Sequence, residues 1–166
     1  MRKMFALLAV SGLLIAMVAA PAGAKSDERP FKAFMTGEMS WAPDGECPTT
    51  ELHSYMDATG RVSHLGRSTL TGDHCTPPLT EYGPSEATLV AANGDEVDMI
   101  YHGECPPLGD LNEGDVLECS FVFEIVDGTG RFDGADGEGI GTLSLIWAGH
   151  EPKTTAWWTW TGTIEY

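Results

Sequence analysis

Apolar and polar residues alternate along much of the chain, which is the period of a β-strand with one buried face. Residues 116–126 show this most clearly, because one face carries Cys119, Phe121, Phe123 and Ile125 while Ser120, Val122, Glu124 and Val126 share the other. Residues 156–166 repeat the pattern with Trp158, Trp160, Ile164 and Tyr166 on one side. Beyond the N-terminal segment no window has the apolar spacing of a helix. The pattern therefore predicts an all-β domain.

The same pattern predicts strands at residues 31–41, 50–57, 61–71, 86–92, 96–102, 116–126, 141–148 and 156–166. Turn signals separate them. Asp57-Ala58-Thr59-Gly60 predicts a reversal, and Asn93-Gly94 predicts a type I′ hairpin. Prolines at positions 77, 78 and 84 are expected to interrupt regular pairing as far as residue 86. Seven or eight antiparallel strands fit a closed barrel or a sandwich.

A glycine-rich stretch follows the strand at 116–126. Its glycines are Gly128, Gly130, Gly134, Gly137 and Gly139, and together they predict a chain reversal before the next strand. An isolated glycine, Gly66, lies inside another predicted strand and indicates a bulge or bend.

The N-terminus has the order of a secretory signal peptide. Arg2 and Lys3 precede an apolar run at residues 4–20, which ends at the small-residue site Ala22-Gly23-Ala24. We expect cleavage after Ala24, a polar leader at residues 25–30 and one β-barrel domain at residues 31–166. The alternative is an uncleaved anchor helix, for which the run is short. The expected location is the periplasm or the outside of the cell.

The chain is strongly acidic, with a net charge of −16. Such a surface would repel nucleic acid and anionic membranes, so we expect neither as a partner after signal cleavage. It is compatible with solubility outside the cell or with cation binding. We expect a monomer without a cofactor.

Four cysteines, Cys47, Cys75, Cys105 and Cys119, occur in a chain directed to an oxidising compartment, which favours two disulfides. Three pairings are possible. We predict Cys47–Cys75 and Cys105–Cys119, because each pair would join neighbouring antiparallel segments across an irregular, proline-containing loop.

Several short motifs occur in an order that resembles a known fold family. They are His64-Leu65-Gly66-Arg67, His74-Cys75, Ala91-Ala92-Asn93-Gly94-Asp95, Gly128-Thr129-Gly130-Arg131-Phe132 with Gly134-Ala135 and Gly137, and Gly162-Thr163-Ile164-Glu165-Tyr166. The set resembles a group of bacterial secreted, uncharacterised proteins whose fold is likened to the allene oxide cyclase and dirigent β-barrels. The resemblance covers residues 31–166 and implies an eight-stranded antiparallel barrel of the calycin-like type. No catalytic residue of the plant enzymes can be matched to a position of this chain.

Metal and nucleophile signatures are weak. The five histidines include no HxH or HxxxH pair, and no GxSxG elbow is present. His64, inside the family-like motif, is the first histidine to test. Calcium is the best metal candidate, through the hard oxygen ligands Asp127, Asp133, Asp136 and Glu138, although their spacing is not that of an EF-hand.

Aromatic residues on the alternating strands allow two interpretations. Tyr101, Phe121, Phe123, Trp158 and Trp160 could simply fill a small barrel, or they could line a lumen that admits one apolar molecule.

Three functions follow from these observations. The first is a secreted, non-catalytic barrel that binds a small lipophilic or aromatic ligand. The second is a cyclase or isomerase that shapes an apolar intermediate, for which a Glu124 facing the lumen would be informative. The third is a passive surface or adhesive module presenting Trp157 and Trp41.

Overall fold

A computed structural model describes residues 27–42, 47, 52–76, 81–107, 111–147 and 153–166. The predicted signal peptide at residues 1–24 and the first part of the predicted leader lie outside these residues. Within the described residues, no helix combines the length and the apolar character needed to cross a membrane.

Eight antiparallel strands form one closed barrel in which each strand pairs with its neighbours in the sequence and β8 pairs with β1. The strands are β1 Arg29–Ala42, β2 Leu52–Val62, β3 Gly66–Thr76, β4 Glu81–Ala91, β5 Glu96–Glu104, β6 Val116–Gly128, β7 Gly137–Ile146 and β8 Lys153–Ile164. The all-β prediction is confirmed, and of its two architectures the barrel is correct. Strand β1 starts two residues earlier than predicted, inside the expected leader.

The predicted turn at residues 57–60 is wrong. Strand β2 continues through it to Val62, and the chain reverses at residues 63–65. Gly60 serves a close approach between strands, because a Cβ there would lie 2.0 Å from the carbonyl oxygen of Phe34. The true reversal uses the positive φ of His64 (67°) and Gly66 (79°).

Prolines interrupt the sheet less than predicted. Strand β4 begins at Glu81 and contains Pro84, which follows a cis peptide bond. The register with β5 shifts between Tyr82 and Ser85, and this irregularity removes the need for a ladder hydrogen bond at the proline.

Two further turn predictions need correction. Residues 93 and 94 do lie in the β4–β5 hairpin, but only Gly94 has positive φ (88°), so the turn is not type I′. The glycine-rich reversal is shorter than expected, because Gly137 and Gly139 already belong to β7. The reversal itself contains a short 3-10 helix at Gly130–Phe132.

The five predicted aromatic residues and most of the small residues of the lumen lie on different strands. Strands β5, β6 and β8 contribute the five aromatic residues, all of which are buried: Tyr101, Phe121, Phe123, Trp158 and Trp160. Strands β2 to β4 face them with many small buried residues: Ser54, Ala58, Ser68, Ser85, Ala87 and Ala91. The rings of Phe121 and Phe123 lie over glycines, since a Cβ at Gly141 or Gly139 would approach these rings within 2.3 and 2.6 Å.

Both predicted disulfides are present. Cys47 is bonded to Cys75 at the end of β3, and Cys105 is bonded to Cys119 on the inner face of β6. In the part of the chain that the structure describes, no cysteine is free. These bonds agree with folding in an oxidising compartment.

Replacing Gly141 should test the packing of rings over glycine. We expect Gly141→Ala to lower the free energy of unfolding by about 1–3 kcal/mol, because the new methyl group meets the ring of Phe121 and Trp160 Cδ1. Urea denaturation measures the change. Ile140→Ala, one residue earlier on the exposed outer face, should change stability by less than about 0.5 kcal/mol. If Phe121→Leu does not restore part of the loss in a double variant, the proposed clash is incorrect.

Candidate functional site

The two ends of the barrel differ in their connections. One end carries the reversals at residues 63–65, 92–95 and 129–136. The other carries the connections β1–β2, β3–β4, β5–β6 and β7–β8, together with both disulfides, and it includes the two longest connections of the barrel, at residues 43–51 and 105–115. We refer to this second end as the long-loop end. Binding residues of barrels often lie on the loops at one end, so this end is the first place to look for a site.

A cluster of polar side chains faces the lumen near the long-loop end. This lumen polar cluster consists of Ser54, His74, Tyr82, Ser85 and Tyr101, each at most 9% exposed. Strand pairing assembles it, because Ser54 lies opposite His74 and Ser85 lies opposite Tyr101. The bulge at Pro84 adjusts the register so that both Tyr82 and Ser85 are buried.

His74 is the centre of the cluster. Its Nδ1 lies 2.8 Å from the hydroxyl oxygen of Tyr101, a hydrogen-bonding distance whose donor depends on the tautomer. The ring of Tyr82 stacks on the imidazole with centroids 5.3 Å apart, and Tyr101 meets it edge-on at 5.8 Å. The Tyr101 hydroxyl also approaches Met56 Sδ at 3.9 Å.

Burial keeps this cluster uncharged. Desolvation lowers the pKa of His74 to about 4; the Asp73 carboxylate opposes that shift, and His53 adds to it. Desolvation likewise raises the pKa values of the Tyr82 and Tyr101 phenols far above their ordinary value. At neutral pH the lumen therefore presents an imidazole and two phenols as neutral hydrogen-bonding groups.

The aromatic residues predicted to bind a ligand are buried inside the barrel, and one of them, Tyr101, also belongs to the lumen polar cluster. Four of them form a ring column in the order Tyr101, Phe121, Trp160 and Phe123, with neighbouring centroids 6.0 to 6.1 Å apart. Trp158 is also buried, on the same face of β8. Phe31 of β1 completes the packing, 5.6 Å from Phe123. The structure thus brings the predicted residues together.

The sequence interpretation missed most of the lumen polar cluster. His74 lay beyond the predicted strand at 61–71. Tyr82 and Ser85 lay in the segment in which prolines were expected to prevent regular strand pairing. The histidine singled out instead, His64, is at the opposite end, where its Nε2 lies 3.0 Å from the carbonyl oxygen of Pro30. Alternation in β3 could have found His74, because it shares parity with the buried Leu70.

A second group of polar residues lies on the outer face of β2 and β3. The Nε2 of His53 is 2.7 Å from a carboxylate oxygen of Asp73, and its Nδ1 is 2.8 Å from the Tyr55 hydroxyl. Tyr55 and Asp73 border a groove of about 350 Å³ that also involves Glu86, Thr71 and Thr88. The groove is also lined by Gly72 and by two buried residues, Met56 and Ala87.

The described structure does not gather the calcium candidates into one group of ligands. Among the described residues, no three His, Cys, Asp or Glu side chains are arranged to hold a metal ion. The carboxylate of Asp127 accepts hydrogen bonds from the backbone N–H groups of Gly128 and Gly134, which ties it to the reversal. Glu138 is exposed opposite Glu124 on the outer face, so Glu124 does not face the lumen.

The two tryptophans considered for a surface module are both half-buried. Trp41 packs against the barrel core, whereas Trp157 lies on the outer face of β8 opposite Thr36 and Ser144. The role of either residue in adhesion stays a prediction.

Stability should depend on pH through His74. Because its pKa is lower in the folded protein, the unfolded chain binds more protons between pH 6.5 and 4. The free energy of unfolding should therefore decrease as pH falls through this window, by on the order of 3 kcal/mol for this residue. Urea denaturation from pH 7 to 4.5 should show a smaller decrease for His74→Gln than for the wild type. Parallel curves for the two proteins would show that His74 is not buried in its neutral form; the exposed substitution His102→Gln is the control.

Comparison with known proteins supports the fold. No family profile matches the sequence, and no curated protein matches it. Among solved structures, the pterocarpan synthase dirigent protein PsPTS1 is similar with a TM-score of 0.50 over 87% of this chain and 98% of its own, at 8% identity. The pterocarpan synthase dirigent protein GePTS1 gives a TM-score of 0.46 over 87% and 88%, at 13% identity. The eight-stranded barrel is therefore dirigent-like in fold, as the sequence motifs suggested.

Proposed function

We propose that this protein is a secreted, non-catalytic β-barrel that binds a small lipophilic or aromatic ligand through the long-loop end of its lumen. One observation carries the proposal: a buried, uncharged polar cluster lies beside a column of aromatic rings inside a closed barrel. Pockets for small molecules combine apolar walls with a few placed polar groups in this way. The rings supply contact area, and the neutral hydrogen-bonding groups orient the ligand.

The surface charge supports the same assignment. The chain carries a net charge of −16, yet every buried polar side chain of the described lumen is a serine, threonine, histidine or tyrosine. A ligand that enters the lumen therefore leaves a strongly hydrated acidic surface for neutral surroundings. Such surroundings favour apolar molecules, since an ion would lose its hydration without gaining a counter-charge.

A second candidate function is an isomerase or cyclase that acts on an apolar substrate. The observation that favours it is the contact between His74 Nδ1 and the Tyr101 hydroxyl, which places a proton donor and acceptor pair beside aromatic walls. Confinement of a reactive intermediate in one conformer needs little further equipment.

Ligand binding can be measured with N-phenyl-1-naphthylamine, an uncharged aromatic probe. We expect saturable binding near one probe per chain, with quenching of tryptophan fluorescence because two tryptophans line the lumen. Ser85→Leu should weaken binding at least tenfold by filling the long-loop end, since Ser85 is buried there. Glu86→Leu changes the next, outward-facing residue and should leave binding unchanged. A lumen site would be refuted if the probe did not quench the tryptophan fluorescence of the wild type, or if the two variants changed the probe affinity equally.

Catalysis can be tested with a lipid extract as a mixed substrate source. An isomerase should convert some component into a product of identical mass and different retention time in liquid chromatography with mass spectrometry. The conversion should disappear in His74→Gln and slow markedly in Tyr101→Phe. If every chromatogram matches that of the protein-free extract, the second candidate has no support.

A further inference from the structure

The indole N–H of Trp160 is a buried hydrogen-bond donor without a partner. Trp160 is 4% exposed on the inner face of β8, and its Nε1 has no hydrogen-bond partner among the described residues. An indole nitrogen can only donate, and buried indole groups usually have an acceptor. An unsatisfied donor at this depth therefore requires an explanation.

The neighbours of Trp160 explain why the fold cannot satisfy this donor. Its ring contacts those of Phe31, Phe121 and Phe123, and its Cδ1, the carbon bonded to Nε1, lies beside Gly141. None of these side chains has an acceptor atom. The nearest polar ring in the ring column, Tyr101, is separated from Trp160 by Phe121.

The lumen also has no positive charge to receive an anion. Within the described residues, the buried polar or charged side chains other than tyrosine and tryptophan are His53, Ser54, Ser68, His74, Ser85 and Thr154, so no lysine or arginine is among them. His53 points to the outer face, where it contacts Asp73. A carboxylate placed near Trp160 would therefore be buried without a counter-ion, which is strongly unfavourable.

From these observations we infer that the lumen ligand is a neutral molecule with a carbonyl or ether oxygen, and that this oxygen accepts a hydrogen bond from Trp160 Nε1–H. The inference rests on the proposed function and narrows it. It distinguishes neutral oxygen-bearing molecules from hydrocarbons, which leave the donor unsatisfied, and from fatty acids, whose carboxylate has no partner in the lumen. A site built to hydrogen-bond a ligand discriminates against the analogue that lacks the bonding group.

Three naphthalene probes of similar shape represent the neutral oxygen-bearing molecules, the hydrocarbons and the carboxylates. They are 2-acetylnaphthalene, 2-ethylnaphthalene and naphthalene-2-carboxylate, and their affinities can be measured by displacement of N-phenyl-1-naphthylamine. For the wild type we expect the ketone to bind about tenfold more tightly than the hydrocarbon, with the carboxylate weakest.

Substitutions assign the preference to one atom. Trp160→Phe keeps an aromatic ring and removes the N–H, so the ketone should lose its advantage over the hydrocarbon. Trp158→Phe, on the same buried face of β8, should retain the advantage. Ser68→Ala should also retain it, although Ser68 Oγ is the other buried side-chain atom without a partner in the described structure.

A spectroscopic measurement on the wild type does not depend on the folding of any variant. The Nε1–H resonance of Trp160 in a ¹⁵N-correlated spectrum should move downfield when the ketone saturates the protein, and much less with the hydrocarbon. Equal affinities for ketone and hydrocarbon, or an unmoved resonance at saturation, would overturn the inference while leaving the proposed function intact. If neither N-phenyl-1-naphthylamine nor any naphthalene probe binds, the proposed function itself fails.

Discussion

The packing of aromatic rings over glycine backbone determines how the interior of this barrel is used. Phe121 lies opposite Gly141 and Phe123 lies opposite Gly139, so each ring occupies space that a side chain on β7 would fill. Aromatic residues over strand glycines also allow the sheet to curve, which a small closed barrel requires. The ring column is thus part of the closure of the barrel as well as its filling.

In this arrangement most of the polar side chains of the lumen lie at one end, and Ser68, near the start of β3, lies toward the other. The ring column reaches from Tyr101 to Phe123, and the neutral imidazole and phenols lie at its Tyr101 end. Charged side chains remain outside, on strands whose outward residues include Glu118, Glu124 and Asp73. In the proposed function, the contrast between an acidic exterior and an uncharged interior would favour neutral ligands before any specific hydrogen bond is considered.

The sequence predicted those features that depend on strict alternation. Strand β6 has apolar residues at alternate positions from Leu117 to Ile125, and β8 has Trp158, Trp160 and Ile164 on its inner face; the four aromatic candidates of these two strands, and Tyr101 of β5, are buried as predicted. Strand β3 was predicted at residues 61–71, five residues too early, because its inward positions are Ser68, Leu70, Gly72 and His74, a mixture that carries little periodic signal. The lumen polar cluster was not predicted for the same reason, because in the sequence pattern a polar residue that faces the lumen cannot be distinguished from one that faces outward. Gly60 was wrongly assigned to a turn, because the sequence does not distinguish a glycine that allows two strands to approach closely from a glycine in a turn.

The protonation states of the cluster favour binding over acid–base catalysis. A general acid or base works best when its pKa lies near the operating pH. Burial lowers the pKa of His74 to about 4 and raises the pKa values of Tyr82 and Tyr101. All three pKa values therefore move away from pH 7, each in the direction that keeps the side chain uncharged. Side chains with such pKa values exchange protons poorly near neutral pH, but they remain available there as neutral hydrogen-bonding groups. If the barrel does act on a substrate, its contribution would therefore come from holding one conformer in a water-poor lumen, where the same neutral groups that bind a ligand would also restrain an intermediate.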